Sequence, residues 1–476
     1  MIQILQGIFT IIFSLIEALC TGVVELIVTA VPSKRNTTYN ADFLNPSNVM
    51  SKHEAGFTFG DMSVSFHDSY SNALVLGNSG SGKTSCVLLN SLLKMDDASI
   101  ITHDPSGELF LKSSGAMKAK GYRVLLIHYD DPIHSESYNP IERVRSISEI
   151  KQLSKLLVLS TLGNGGTDKF WNTAAESLLS LFIRYIKFYT EKENQNLYNV
   201  SMLLNQFAGT PKAVDRLIIE TKDDVLIEEY KSFVAYDSKL LMNILATAKT
   251  ALSLFSDDRI AQITCRDTID FEGLREEKTI IYIRSNVNQM KYFSPLTSIF
   301  FEQLFAYIMK EIPTSKDLPI FHLMDEASSL YLPILSIAIS NVRKYFSGMM
   351  LVFQTQSQIF DLYGTQQARN IISNCYTRCF LPGMPLETAR ELELILGKYQ
   401  FEDENGNQKI RSLLTMDELR ILDESIILMG NKPAIKMKLK PYYSQKNLLR
   451  LSQLAPVDIE TRDQKMTEEY YKIIVV

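Results

Sequence analysis

An α/β fold with a mainly parallel sheet is predicted by three observations. Short apolar strand-like runs alternate with helix-length patterns, a glycine-rich loop sits between one such run and a helix, and a later apolar run ends in two carboxylates. The loop is Gly77-Asn78-Ser79-Gly80-Ser81-Gly82-Lys83-Thr84, which fits G-x-x-x-x-G-K-[ST]. Residues 72–76 before it read as a strand and residues 85–93 after it as a helix. Backbone N–H groups of such a turn converge at a helix N-terminus, where the dipole adds about half a positive charge, so the loop suits a triphosphate. Gly77 through Ser85 form the expected nucleotide-binding stretch, with Lys83 reaching the β- and γ-phosphates of ATP and Thr84 holding Mg²⁺.

The 476 residues are 46% apolar and 22% charged, an ordinary globular composition long enough for two or three domains. A net charge of −5 excludes a globally basic nucleic-acid binder, so any contact with nucleic acid has to be local. Cys20, Cys86, Cys265, Cys375 and Cys379 are odd in number and scattered, which points to buried thiols rather than a disulfide framework or a zinc site.

Residues 1–31 hold no Lys or Arg and are apolar almost throughout, long enough at about 1.5 Å per residue to span a bilayer core of about 30 Å. Gln3, Gln6, Thr10, Ser14, Glu17, Thr21, Glu25 and Thr29 recur at helical spacing and form one polar stripe. A spanning or embedded helix whose stripe faces other helices or a partner is expected, a soluble amphipathic helix over a groove being the alternative. Lys34 and Arg35 then place the remainder in the cytoplasm.

Residues 36–70 read as a polar linker ending in a short strand or hairpin. Beyond the loop come a strand at 98–104, a helix reaching 120 and a strand at 122–128. Between about residues 142 and 265 helical patterns continue without a convincing strand, and 15 Lys+Arg balance 15 Asp+Glu, so charge alone gives no DNA-binding signal. Phe170 and Trp171 begin one of these helices; stacking on a base is one reading, core packing the expected one. Strand character returns at 278–284, a helix follows at 295–310, and the strand at 319–326 ends in Asp325-Glu326. Asp325 is expected to bind Mg²⁺ through Thr84 or water, and Glu326 to polarise the water that attacks the γ-phosphate. After a helix holding Arg343 and Lys344, the strand at 349–353 ends at Gln354, placed either to sense a γ-phosphate or within an exposed glutamine-rich loop. A helix near 369–374, a strand at 377–381, an acidic amphipathic stretch at 386–396, a hairpin turn at 402–407 and a closing strand pair at 426–443 complete the pattern.

These residues resemble the TraG/TraD-like coupling proteins of conjugation and type IV secretion over most of residues 71–443. The loop at 77–84, Asp104-Pro105-Ser106-Gly107-Glu108, Phe170-Trp171, Asp325-Glu326, Arg343, Gln354 and Gln358 before Tyr363-Gly364, and Asn374-Cys375 follow that family's order. So do 413–419 and 430–435. Ser106 stands where the family pattern has lysine, and one hydrophobic run stands where the family usually has two membrane helices. The resemblance implies a RecA-like P-loop NTPase domain in a hexameric, membrane-anchored ATPase. Such a ring receives single-stranded DNA with a bound relaxase, or secreted protein substrates, at the bacterial inner membrane and feeds them to type IV secretion channel components. It also makes Arg343 a candidate arginine finger on the neighbouring subunit's ATP. The expected organisation is a membrane helix (1–33), a linker (34–70), an NTPase domain in two parts (71–141 and 266–443) around an all-α insertion (142–265), and a C-terminal tail (444–476). A substrate-recruiting receptor that uses ATP to hold a ring together, and a chromosome-partition translocase, are the competing expectations.

Overall fold

The computed structural model describes residues 39–163 and 169–461. The expected helix of residues 1–33 and the chain end beyond 461 lie outside these. Among the described residues no helix is long and apolar enough to cross a membrane.

The chain opens with the paired strands β1 (Thr58–Phe59) and β2 (Met62–Ser63). The main sheet uses β3 (Ala73–Leu76), β4 (Ser99–His103), β5 (Arg123–His128), β6 (Thr279–Arg284), β7 (Ile320–Met324), β8 (Ser347–Phe353), β9 (Thr377–Phe380), β12 (Ser425–Met429) and β13 (Ile435–Met437). Its nine strands run in the order β13-β12-β9-β3-β8-β7-β4-β6-β5. All pairings are parallel except those of β12 with β9 and with β13. Every residue of β3, β4, β7 and β8 is buried, as befits central strands covered on both faces. A large core forms on one face, where Val87, Leu88 and Leu92 meet Val75, Val352, Cys379 and Ile427.

Among the described residues seven helices, from Ile147–Leu162 to Asp258–Thr264, lie between β5 and its parallel neighbour β6. Their starts are written locally: Ser146, Asn196, Asp223, Asp237 and Asp257 each accept a hydrogen bond from a first-turn amide. Residues 43–392 and 415–461 form one compact unit. Residues 39–42 and 393–414 form a second, where β10 (Lys398–Glu402) pairs antiparallel with β11 (Gln408–Ser412) and Asn40 bridges Tyr399.

Four local expectations change. Phe170 is 56% exposed and Trp171 half-buried, so the pair stacks edge to face at 5.1 Å at the surface instead of filling a core. The helix expected from residue 295 spans Met290–Ile308, with Pro295 inside it; Ser294 Oγ donates to Lys291 O, which lacks a proline N–H partner. Arg343 lies in the 3-10 turn Val342–Tyr345, after the helix Leu335–Asn341 ends. The glutamines after Gln354 open the helix Gln356–Ser373, not a loop, because Gln358 Oε1 accepts the Thr355 N–H at its start.

Candidate functional site

Parallel strands expose their carboxyl ends to one side, and the phosphate loop leaves β3 there, between β9 and β8. The Gly77 N–H donates to Phe353 O at 3.2 Å, which ties the loop to the end of β8. Gly80 and Gly82 have φ of +78° and +96°, left-handed backbone that favours glycine. A π-helical turn, Lys83–Leu88, then leads into the helix Leu89–Lys94, so helical structure begins two residues before the expected start at 85. Lys83 Nζ donates to Gly77 O (2.7 Å) and Asn78 O (3.0 Å), folded over the loop it would serve. Asn78 Nδ2 donates to Gly383 O at 2.7 Å. Thr84 and Ser85 are half-buried on the first turn. Burial lowers the Lys83 pKa, and the fields of Glu326 and Asp325 raise it in part, so these charges share one site.

The acidic side comes from β4 and β7. Their register pairs His103 with Met324, so Asp104 and Asp325 emerge side by side. Asp325 is buried and its pKa is pushed up to about 7, first by burial and then by repulsion from Asp104 and Glu326. Burial raises Asp104 to about 6 although it accepts the Leu109 and Phe110 N–H groups. His103 Nδ1 lies 2.7 Å from Asp325 O, and burial lowers that imidazole to about 4; a neutral ring donates there. Glu326 adopts φ +48°, left-handed for a residue with a Cβ, and its Oε1 accepts from Gln354 Nε2 at 2.8 Å. Ser106 serves the Asp104 turn: its Oγ accepts the Glu108 N–H at 3.2 Å.

The carboxyl end of the sheet thus gathers the loop, Lys83, Asp325, Glu326 and Gln354. Arg343 is not among them: it precedes the amino end of β8, is exposed, and lies 3.3 Å from His67 Nε2. Asp104 and His103 were not predicted as site residues from sequence chemistry. Their signal was the Asp that ends β4 just as Asp325 ends β7, but only strand adjacency brings the two together. The residues fit a nucleotide phosphate and a divalent cation. Ser81 Oγ is buried without a partner, a Cβ on Gly77 would lie 2.4 Å from that oxygen, and two neighbouring carboxyls repel one another.

A family model described as Type IV secretory system Conjugative DNA transfer matches residues 33–470. This chain belongs to that family. Among curated members it is 25% identical over 409 residues to Protein VirD4 of Rhizobium radiobacter, covering 80% of this chain and 58% of the relative. It is 24% identical over 310 residues to Conjugal transfer protein TraG of the same organism, covering 63% of this chain and 48% of the relative. The chain therefore spans about half to three-fifths of the length of these members. The solved bacterial conjugative coupling protein TrwBdeltaN70, in complex with sulphate, shares the fold at a TM-score of 0.67 and 16% identity, over 91% of this chain and 99% of that one. TrwB in complex with ADP and Mg²⁺ has the same TM-score and identity, 0.67 and 16%, over 89% of this chain and 96% of that one.

Proposed function

We propose that this chain is a membrane-anchored ATPase that couples DNA, nucleoprotein or protein substrates to a type IV secretion channel, acting as a ring, expected to be a hexamer. The observation that carries hydrolysis is the Gln354–Glu326 hydrogen bond beside Lys83 and Asp325. A carboxylate aimed by a neutral amide can accept a proton from water while the amide senses the phosphate. Backbone N–H groups from Gly77 to Ser85, with Lys83, would hold the triphosphate; Thr84 and Asp325 would hold Mg²⁺. Bound Mg²⁺ neutralises charge on the β- and γ-phosphates. Arg343, exposed at the amino side of β8 beside His67, would serve as a finger on a neighbour's nucleotide. Support comes from family membership and from the related fold solved with ADP and Mg²⁺. The apolar residues 1–31, with Lys34 and Arg35 after them, support the anchor.

The test is ATP turnover by the purified chain with and without single-stranded DNA. Lys83→Ala and Glu326→Gln are expected to lower turnover by about a hundredfold or more, and to abolish substrate transfer in cells. Wild-type transfer by either variant would sink the motor reading. Negligible turnover by the wild type, with or without DNA, would favour a recruiting receptor.

A further inference from the structure

Glu326 needs an explanation that the phosphate loop does not supply. A non-glycine residue at φ +48° costs about 1 kcal/mol or more and persists only where its surroundings over-determine it. Its carboxylate must also point at one place to be useful, and the segment after it, residues 327–334, has little regular structure beyond one 3-10 turn.

That segment is held from the helix Gln356–Ser373. Tyr363 is buried, and its hydroxyl accepts the Leu332 N–H at 3.2 Å while donating to Leu330 O at 3.4 Å. Five residues earlier on the same helix, Gln358 Oε1 accepts the Gln354 N–H at 2.9 Å. Gln354 in turn donates to Glu326 Oε1. Leu330 N–H bonds Ala327 O and Ser329 N–H bonds Glu326 O, at 3.2 and 2.9 Å, which closes the path back to Glu326. The circuit therefore runs from Glu326 through Gln354, Gln358, the first two turns of the helix and Tyr363 to the segment that follows Glu326. A second clamp, Glu302 on the helix Met290–Ile308, accepts the Ile334 N–H.

The helix breaks directly after Tyr363. Gly364 has φ +69° and ψ 169°, a conformation for glycine, and a Cβ there would meet nothing within 4 Å. The break separates the turns that carry Gln358 and Tyr363 from residues 365–373, which are tied elsewhere by Asn370 Nδ2 to Ser336. Residues 356–363 are thus a short lever whose two ends grip the two sides of Glu326.

We propose that Tyr363 is a positioning residue for Glu326: its hydroxyl fixes the turn after Glu326 so that the carboxylate keeps its bond to Gln354. The inference rests on the proposed role of Glu326 in activating water. Tyr363 touches no nucleotide in this scheme, so its loss acts on the chemical step rather than on binding. Tyr363→Phe retains the ring against Tyr331 (5.5 Å between centroids) and removes only the hydroxyl.

The test uses the full-length wild type, Tyr363→Phe, Gln354→Ala and the double variant, with steady-state ATP turnover, affinity for a fluorescent ADP analogue and thermal melting on the same preparations. Tyr363→Phe is expected to lower kcat about tenfold, the value of one hydrogen bond, with KM and analogue affinity within about twofold of wild type. In the Gln354→Ala background it should cost less than about twofold more, since both act through one circuit. Losses that multiply in the double variant, a wild-type kcat for Tyr363→Phe, or analogue affinity falling in step with kcat would each overturn the inference and leave the ATPase reading standing. A wild type without turnover overturns that reading, and this inference with it.

Discussion

Two glutamates show how burial sets the work of a residue. Glu326 is half-buried, hydrogen-bonded by Gln354 and open to chemistry, whereas Glu302 is 7% exposed and holds a backbone amide. Burial pushes the Glu302 pKa from 4.5 up to about 7. The folded chain thus holds this proton more tightly than the unfolded chain does. Its contribution to stability is full below pH 4.5 and is lost as pH rises to about 7. Glu302→Gln keeps an acceptor for Ile334 and removes the titration. Between about pH 5 and 8 the stability of this variant relative to wild type should rise by about 1–3 kcal/mol, read from denaturant unfolding at both pH values. Asn72 is a structural counterpart: at φ +61° it donates to Ile339 O and Asn374 O and accepts the Met349 N–H. Asn72→Ala leaves those buried groups unpaired and should cost about 2–4 kcal/mol in the same measurement.

At the scale of elements, the central strands were legible because both their faces are buried, which writes them as continuous apolar runs. Helix boundaries were less so: a proline usually marks a helix start, yet Pro295 is accommodated inside Met290–Ile308 by one serine hydroxyl. The chain after residue 444, expected as a C-terminal tail, packs as far as it is described. The helix Lys446–Ser452 buries Leu448 against Leu93 and Ala116, and Val457 N–H donates to Ser114 Oγ at 3.1 Å. A Cβ on Gly115 would lie 2.1 Å from Ala455 O, so the close approach requires glycine there. Gly115→Val should displace residues 453–461, costing about 1–3 kcal/mol. Limited proteolysis should then cut after residue 452 much faster than in wild type; an unchanged cleavage pattern would mean that the segment tolerates the side chain.

For the whole molecule, the proposed site is divided between two ends of the sheet. Lys83, Asp325, Glu326 and Gln354 lie at the carboxyl side, and Arg343 lies at the amino side of β8, so a chain cannot present Arg343 to its own phosphate loop without refolding. In the proposed ring, one chain's arginine would instead lie at its neighbour's loop. Lys83→Ala and Arg343→Ala should each be inactive alone. Mixed one to one, about one interface in four pairs an intact loop with an intact arginine, and a corresponding fraction of ATP turnover should return. Absence of any recovery in verified mixed oligomers would place the arginine's role within its own chain or outside the reaction.

The sequence by itself determined the phosphate loop, the carboxylate pair at a strand end, the glutamine at another and the family they belong to. Each is a short segment whose chemistry depends on residues next to one another in the chain, as Gly80 and Gly82 show in their left-handed backbone. Only the tertiary structure decided that Asp104 stands beside Asp325, that Gln354 reaches Glu326, that Tyr363 grips the segment after it, and that Phe170 faces outward. Those facts follow from strand order, register and burial, which are set by contacts between residues tens to hundreds of positions apart. Local pattern names the groups that could react; long-range packing selects which of them meet.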